Sequence, residues 1–296
     1  MGWRKVVYYG TFMRVNLGKS RPERHMDELV DRIKRPIRHR YMIAVMSGGS
    51  AGKTTVAAAL GETFRIHRTA PVLAIDAAPG FGPLAGRIAA NLPGDVPALL
   101  NETEIQGYSD VRQYLGANKE TGLEVLAGDR SAAPNRTIDS GMFDAVMGML
   151  TRTGHEIVLV DCGDDPEHPV MAAVLKNANM LVLVSGLTPD SAVPVTRTIE
   201  WLKAAGYHQL VSRAMVILND YRGGASKEAR RVLRERFEKI AAVEELPFDP
   251  FLAKGAIIDV KHELDKATRL RLHEIAAQLA DFYIPDADRQ QTRWGR

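Results

Sequence analysis

Six short apolar runs recur along the chain, each parted from the next by segments of other character: YMIAVM (41–46), PVLAID (71–76), LEVLA (123–127), EIVLVD (156–161), MLVLVS (180–185) and AMVILND (214–220). Nothing else in the sequence constrains the fold as strongly. A run of this length with no polar alternation reads as a strand buried on both faces. Helix-like segments lie between the runs, at 54–67, 108–116, 140–152, 169–177, 190–205 and 226–240. The last of these sets Ala229, Val232, Leu233, Phe237 and Ile240 on one face. Strands alternating with helices build an α/β fold, a parallel sheet covered on both sides. Stretches rich in Gly, Pro and Asn (79–97, 128–140, 221–226) read as connections over the strand ends, the rim where open α/β sheets bind ligands.

The first apolar run leads into MSGGSAGKTT (46–55), and a helix-like segment follows. Strand, glycine-rich turn and helix form the context of a phosphate-binding loop, whose strict pattern is G-x-x-x-x-G-K-[ST]. Here Ser47 stands at the first glycine position. Gly48, Gly49 and Gly52 let the backbone curl so that its N–H groups face a phosphate, with Ser50 and Ala51 between them. Lys53 is placed to neutralise β- and γ-phosphates, Thr54 to ligate Mg²⁺, and Thr55 to continue the loop into the helix. The alternative is a glycine-rich turn that holds no phosphate. Asp76 and Asp161 each close an apolar run, where a strand-end acid supports Mg²⁺ or simply caps a turn.

Composition excludes several classes. No run of about 18 apolar residues occurs, so no membrane span is expected. The first residues, with charges scattered through them, make a poor signal peptide. The single cysteine, Cys162, excludes an internal disulfide and a cysteine-cluster metal site; it reads as a buried strand residue in a cytoplasmic protein. His155 and His168 flank the same run without a second ligand at metal spacing and read as structural or surface residues. Charge is uneven: residues 1–40 hold 11 Lys/Arg and 4 Asp/Glu, and the remainder 28 and 32. Residues 22–35 carry Met26, Leu29, Val30 and Ile33 at helical spacing, ended by Pro36. The plain reading is a solvated amphipathic helix in a basic arm; the functional one is a docking segment for an acidic partner. Arg230, Arg231 and Arg234 give some basic surface, but neighbouring acids offset it, so nucleic-acid binding is disfavoured. The polar end YIPDADRQQTRWGR argues against a membrane-binding helix.

Taken together, these motifs resemble the MinD/ParA group of P-loop ATPases. Within that group the chain looks like the MinD-like proteins associated with type VII (ESX) secretion in mycobacteria. The resemblance runs from about residue 20 to 283. It is carried by RIKRPIRHRYMIAVMSGGSAGKTT, VLAIDAAP, YSDVRQYL, LEVLAGD, IVLVDCGDD, RTIEWLKAAGY, VILND and the late ELPFDPFLAKGAIIDV. It implies a doubly wound, mostly parallel sheet over residues 41–284, preceded by the basic arm 1–40 and followed by the polar tail 285–296. It also implies ATP or ADP with Mg²⁺, a nucleotide-dependent homodimer, and contacts with secretion-apparatus or secreted proteins. Asn219 matches the group's adenine-reading asparagine, and Pro247 and Asp249 match the loop that packs over the base.

Two positions depart from the group. Its signature lysine, five residues before Lys53, is Gly48 here, and a trans cation at developing phosphate charge is worth on the order of 10³-fold in rate. The second acid of its D-x-D motif, which orients the attacking water, is Ala78 after Asp76; such a group is worth about 10²–10⁴-fold. Asp164 and Asp165 are the substitutes at hand. The expectation is therefore a bound nucleotide with Lys53 and Asp76 as the remaining catalytic parts, and slow or absent hydrolysis. The function implied is a nucleotide-dependent regulator or assembly factor of type VII secretion. The competing readings are a pseudo-ATPase interaction module, a small-molecule P-loop enzyme and a DNA-partitioning ATPase.

Overall fold

The computed structural model describes residues 19–47, 49–78, 82–131, 137–238 and 242–283. Among the described residues, eight strands form one sheet: β1 (Tyr41–Ser47), β2 (Val72–Ala77), β3 (Gly116–Ala117), β4 (Glu124–Leu126), β5 (Ile157–Cys162), β6 (Met180–Gly186), β7 (Met215–Asn219) and β8 (Ala242–Leu246). Their spatial order is β3-β4-β2-β5-β1-β6-β7-β8. Every pairing is parallel except the antiparallel β3–β4 edge. The six apolar runs are the six inner strands.

All seven residues of β1 are buried, because the strand faces a helical layer on each side. Tyr41, Ile43 and Val45 join one core with residues of the helices Lys53–Arg65 and Lys266–Ala280. Met42, Ala44 and Met46 join the opposite core with the helices Ser140–Met149, Val170–Asn177 and Pro189–Ala204. The period-two alternation of side chains divides one apolar run between two cores. β1 lies between β5 and β6, where the chain order reverses, so the loop after β1 opens into a crevice at the carboxyl rim. Parallel register brings Asp76 opposite Asp161, and Val45 opposite Asp161 on the other side.

Several expectations are corrected. The segment 108–116 is helical only over Tyr108–Arg112, and Gly116 already belongs to β3. The stretch 79–97 contains a helix, Leu84–Ile88, that returns the chain to the sheet. AVEEL (242–246) forms β8 although two glutamates interrupt its apolar character; as an edge strand it carries them, with Glu244 bound by Arg271 at 3.1 Å and by Gln278 at 2.5 Å. The helix Lys227–Phe237 buries Leu233 and Phe237 but leaves Val232 exposed, and Ile240 lies outside the described residues.

The helix read at 22–35 forms as Arg21–Ile33, started by a capping box between Ser20 and Glu23. It is not solvated all round. Leu29 and Ile33 are buried against the helix Lys266–Ala280, and Asp281 receives Arg32 through two hydrogen bonds and Arg35 at 2.7 Å. Among the described residues no helix is long and apolar enough to cross a membrane.

Candidate nucleotide site

The loop after β1 turns tightly, with the Ala51 N–H donating to the Gly49 carbonyl at 2.7 Å. Gly49 and Gly52 both have positive φ, at 153° and 81°. At Gly52 a second reason excludes any other residue: an added Cβ would sit 2.5 Å from Nδ2 of Asn219. Gly52 is also the N-cap of the helix Lys53–Arg65, and being glycine it offers no side-chain cap. The first-turn N–H groups of that helix are therefore left for an external acceptor, and the helix dipole favours an anion there. Gly48 lies outside the described residues.

Beneath the loop, two side chains converge on one carboxylate. Lys53 Nζ donates to Asp161 Oδ1 at 3.0 Å, and Thr54 Oγ1 donates to Asp161 Oδ2 at 2.6 Å. Asp161 is fully buried and the Lys53 side chain nearly so. Burial works against the Lys53 charge, but the Asp161 carboxylate more than offsets it and raises the lysine pKa. Asp76 is also buried and accepts from the N–H groups of Ala78 at 3.1 Å and Leu84 at 3.3 Å. Burial and then the neighbouring Asp161 push its carboxyl up to about 7. Gly82 closes over it so tightly that a Cβ there would overlap the carboxylate at 2.0 Å. Sequence reading missed this glycine; its signal was the Gly/Pro-rich character of 79–97.

A cleft of about 340 Å³ opens beside these groups, lined by Gly49, Lys53, Thr54, Ala78, Gly82 and Asp164 among others. A second, about 370 Å³, lies across the loop between Gly49–Ala51, Thr188, Ser191 and Tyr221. The donor set suits Mg²⁺: one hydroxyl and two carboxylates, all hard oxygen ligands, with the open cleft leaving room for phosphate oxygens and water. Among the described residues no cluster of three His, Cys, Asp or Glu side chains forms a metal cage. Mg²⁺ shared with phosphates does not require one.

The remaining residues divide. Thr55 turns inward, its hydroxyl accepting from Arg87, which also holds the carbonyls of Leu252 and Ala256. Ser50 is exposed on the loop and Ala51 is buried under it. Asn219, at the end of β7, donates to the Ala51 carbonyl at 2.9 Å and so braces the loop. Asp249 caps the short helix Pro250–Ala253, accepting from Phe251 and Leu252, and its other oxygen accepts from Asp265 N–H at 3.0 Å. Pro247 is half-buried in the link before it. Cys162 is fully buried, and burial pushes its thiol up to about 12. His155 is buried between Thr153 and Glu124, a structural position. The three arginines named as basic surface on the helix Lys227–Phe237 are spent on acids and a carbonyl: Arg230 on Asp220, Arg231 on Glu228 and Glu235, and Arg234 on the Val243 carbonyl.

No protein-family model matches the chain. By sequence it is similar to the ESX-1 secretion-associated protein EspI of Mycobacterium tuberculosis, with 33% identity over 284 residues. That alignment covers 95% of this chain and 42% of EspI, so the chain spans less than half the length of the relative it matches. By structure it is similar to a ParA family ATPase from Chlorobium tepidum (TM-score 0.63, 16% identity, 80% of this chain and 98% of that one). It is also similar to MinD from Pyrococcus horikoshii, solved with Mg-ADP (TM-score 0.62, 20% identity, 84% and 97%).

Proposed function

We propose that this chain, a MinD/ParA-like P-loop protein similar to EspI, binds MgATP in the cleft beside Lys53 and works as a nucleotide-dependent regulator or assembly factor of type VII secretion. One observation carries the nucleotide reading: Lys53 and Thr54 meet on the buried Asp161 directly under an uncapped glycine loop. Lys53 would leave Asp161 for the β- and γ-phosphates. Thr54 and Asp161 would hold Mg²⁺, with Asp76 behind them. Held there, the ion would neutralise phosphate charge and order the phosphates. Support comes from the structural likeness to a MinD solved with Mg-ADP, and for the pathway from the name of EspI.

Turnover would be slow, because Gly48 stands at the position of the group's trans-acting lysine and offers no charge, and Ala78 brings no carboxylate of its own to the cleft. A switch of this kind dimerises around nucleotide and alters its contacts with secretion-apparatus or secreted proteins as the nucleotide changes. The helix Arg21–Ile33 ties the basic segment to the body, near enough for a partner held there to sense the domain.

The test is a titration with a fluorescent ATP analogue and Mg²⁺, followed by phosphate release over hours, on the wild type and Lys53→Ala. Saturable binding lost in the variant by 10-fold or more, with slow Lys53-dependent release, is the expected result. An affinity unchanged by Lys53→Ala would overturn the site. Binding without any release would convert the switch into a pseudo-ATPase interaction module.

A further inference from the structure

We propose that Asp164 is the carboxylate that orients the attacking water at this site, in place of the acid missing at Ala78, and that Ser47 positions it. This inference rests on the nucleotide-binding reading above. Two adjacent acids follow β5, and the structure separates them. Asp165 is spent on its own turn: its carboxylate accepts from Glu167 N–H at 2.9 Å and its carbonyl from His168 N–H at 3.3 Å. Asp164 instead lines the cleft with Lys53, Thr54 and Ala78. It is an exposed residue on the wall of that cleft, so its oxygens are open to water.

Ser47 supplies the support. It is buried at the end of β1, and its one hydroxyl proton serves either the Gly49 carbonyl at 2.8 Å or Asp164 Oδ1 at 3.1 Å. This is the position where the strict loop pattern has glycine, which has no donor to offer. The chain thus departs from the pattern at two points that meet at Asp164: a hydroxyl gained at the end of β1, bonded to it, and a cleft carboxylate moved from β2 to the end of β5. In the reaction, water oxygen bonds to the γ-phosphorus as the bond from that phosphorus to the β,γ-bridging oxygen breaks. The electron pair stays on the bridging oxygen, which leaves on ADP. One water proton remains on inorganic phosphate and the other passes to solvent. Asp164 accepts a hydrogen bond from the water and aims its lone pair in line.

The experiment compares full-chain wild type, Asp164→Asn, Asp165→Asn and Ser47→Ala. It measures affinity for the fluorescent ATP analogue, phosphate release, and the added thermal stabilisation that Mg²⁺, ADP and fluoroaluminate give together over ADP alone. Fluoroaluminate mimics the phosphoryl group in flight, so its capture reports on the water-side wall without turnover. Asp164→Asn is expected to keep ATP affinity within about 2-fold, to lose about 10²-fold in release, and to lose the fluoroaluminate increment. Ser47→Ala should lose part of both, and Asp165→Asn neither. Wild-type release and capture in Asp164→Asn would overturn the assignment. So would a wild type that binds ATP yet neither hydrolyses it nor captures fluoroaluminate, leaving the binding reading intact. A wild type that binds no ATP overturns both readings.

Discussion

At the scale of single residues, this protein places ionisable groups where water is scarce. Asp161 tolerates complete burial because Lys53 and Thr54 satisfy both its oxygens. Glu62, in the last turn of the helix Lys53–Arg65, has no such arrangement. Burial pushes its carboxyl up to about 8 and Asp259 adds to the effect, while Thr121 and Lys261 pull the other way. The folded protein therefore holds a proton that the unfolded chain, with an ordinary value of 4.5, has lost. Stability from this group is complete below about pH 4.5 and is lost as pH rises to about 8. Glu62→Gln, which cannot ionise, should flatten that slope and be more stable than wild type at pH 8; urea midpoints across the range would show it. Parallel slopes for the two proteins would mean that Glu62 titrates normally. Nothing in the sequence marks Glu62, since one glutamate in an amphipathic segment looks like any other until the helix is seen to be covered on all sides.

At the scale of elements, local pattern was informative in proportion to its length. The inner strands and the loop helix were legible because burial on both faces writes an unbroken apolar run. β8 and the β3 edge were not, because edge strands carry charge or are too short to show a period. The helix Arg21–Ile33 was legible as a helix, but its docking was not. Its partner, Lys266–Ala280, lies more than 230 positions away. Ile33→Ala should test that docking. Ile33 is fully buried, and truncating such a side chain costs about 2–4 kcal/mol. A lower urea midpoint without loss of ATP affinity is expected; no change would mean the helix contributes nothing to the body's stability.

At the scale of the molecule, the proposed nucleotide site is assembled from the ends of three strands held in register, so nucleotide binding there would be linked to global stability. MgATP at 100 times its Kd should stabilise the fold by about 2.7 kcal/mol. Thermal melts with and without nucleotide would read this, and Lys53→Ala should abolish it. The parallel sheet, the glycine loop and the strand-end acids are legible in the amino-acid order, because burial on both faces, turn geometry and phosphate chemistry each leave a mark within a few neighbouring residues. What those residues do for one another is set by the folded arrangement. It turned Asn219 onto the loop carbonyl, made Asp249 a helix cap, sent Thr55 inward to Arg87, and brought Asp164 rather than Asp165 to the cleft. Each of the first three joins partners at least 30 positions apart except the cap, and Asp164 meets Ser47 across 117. Such meetings follow from β1 lying between β5 and β6, a neighbourhood that no local periodicity encodes.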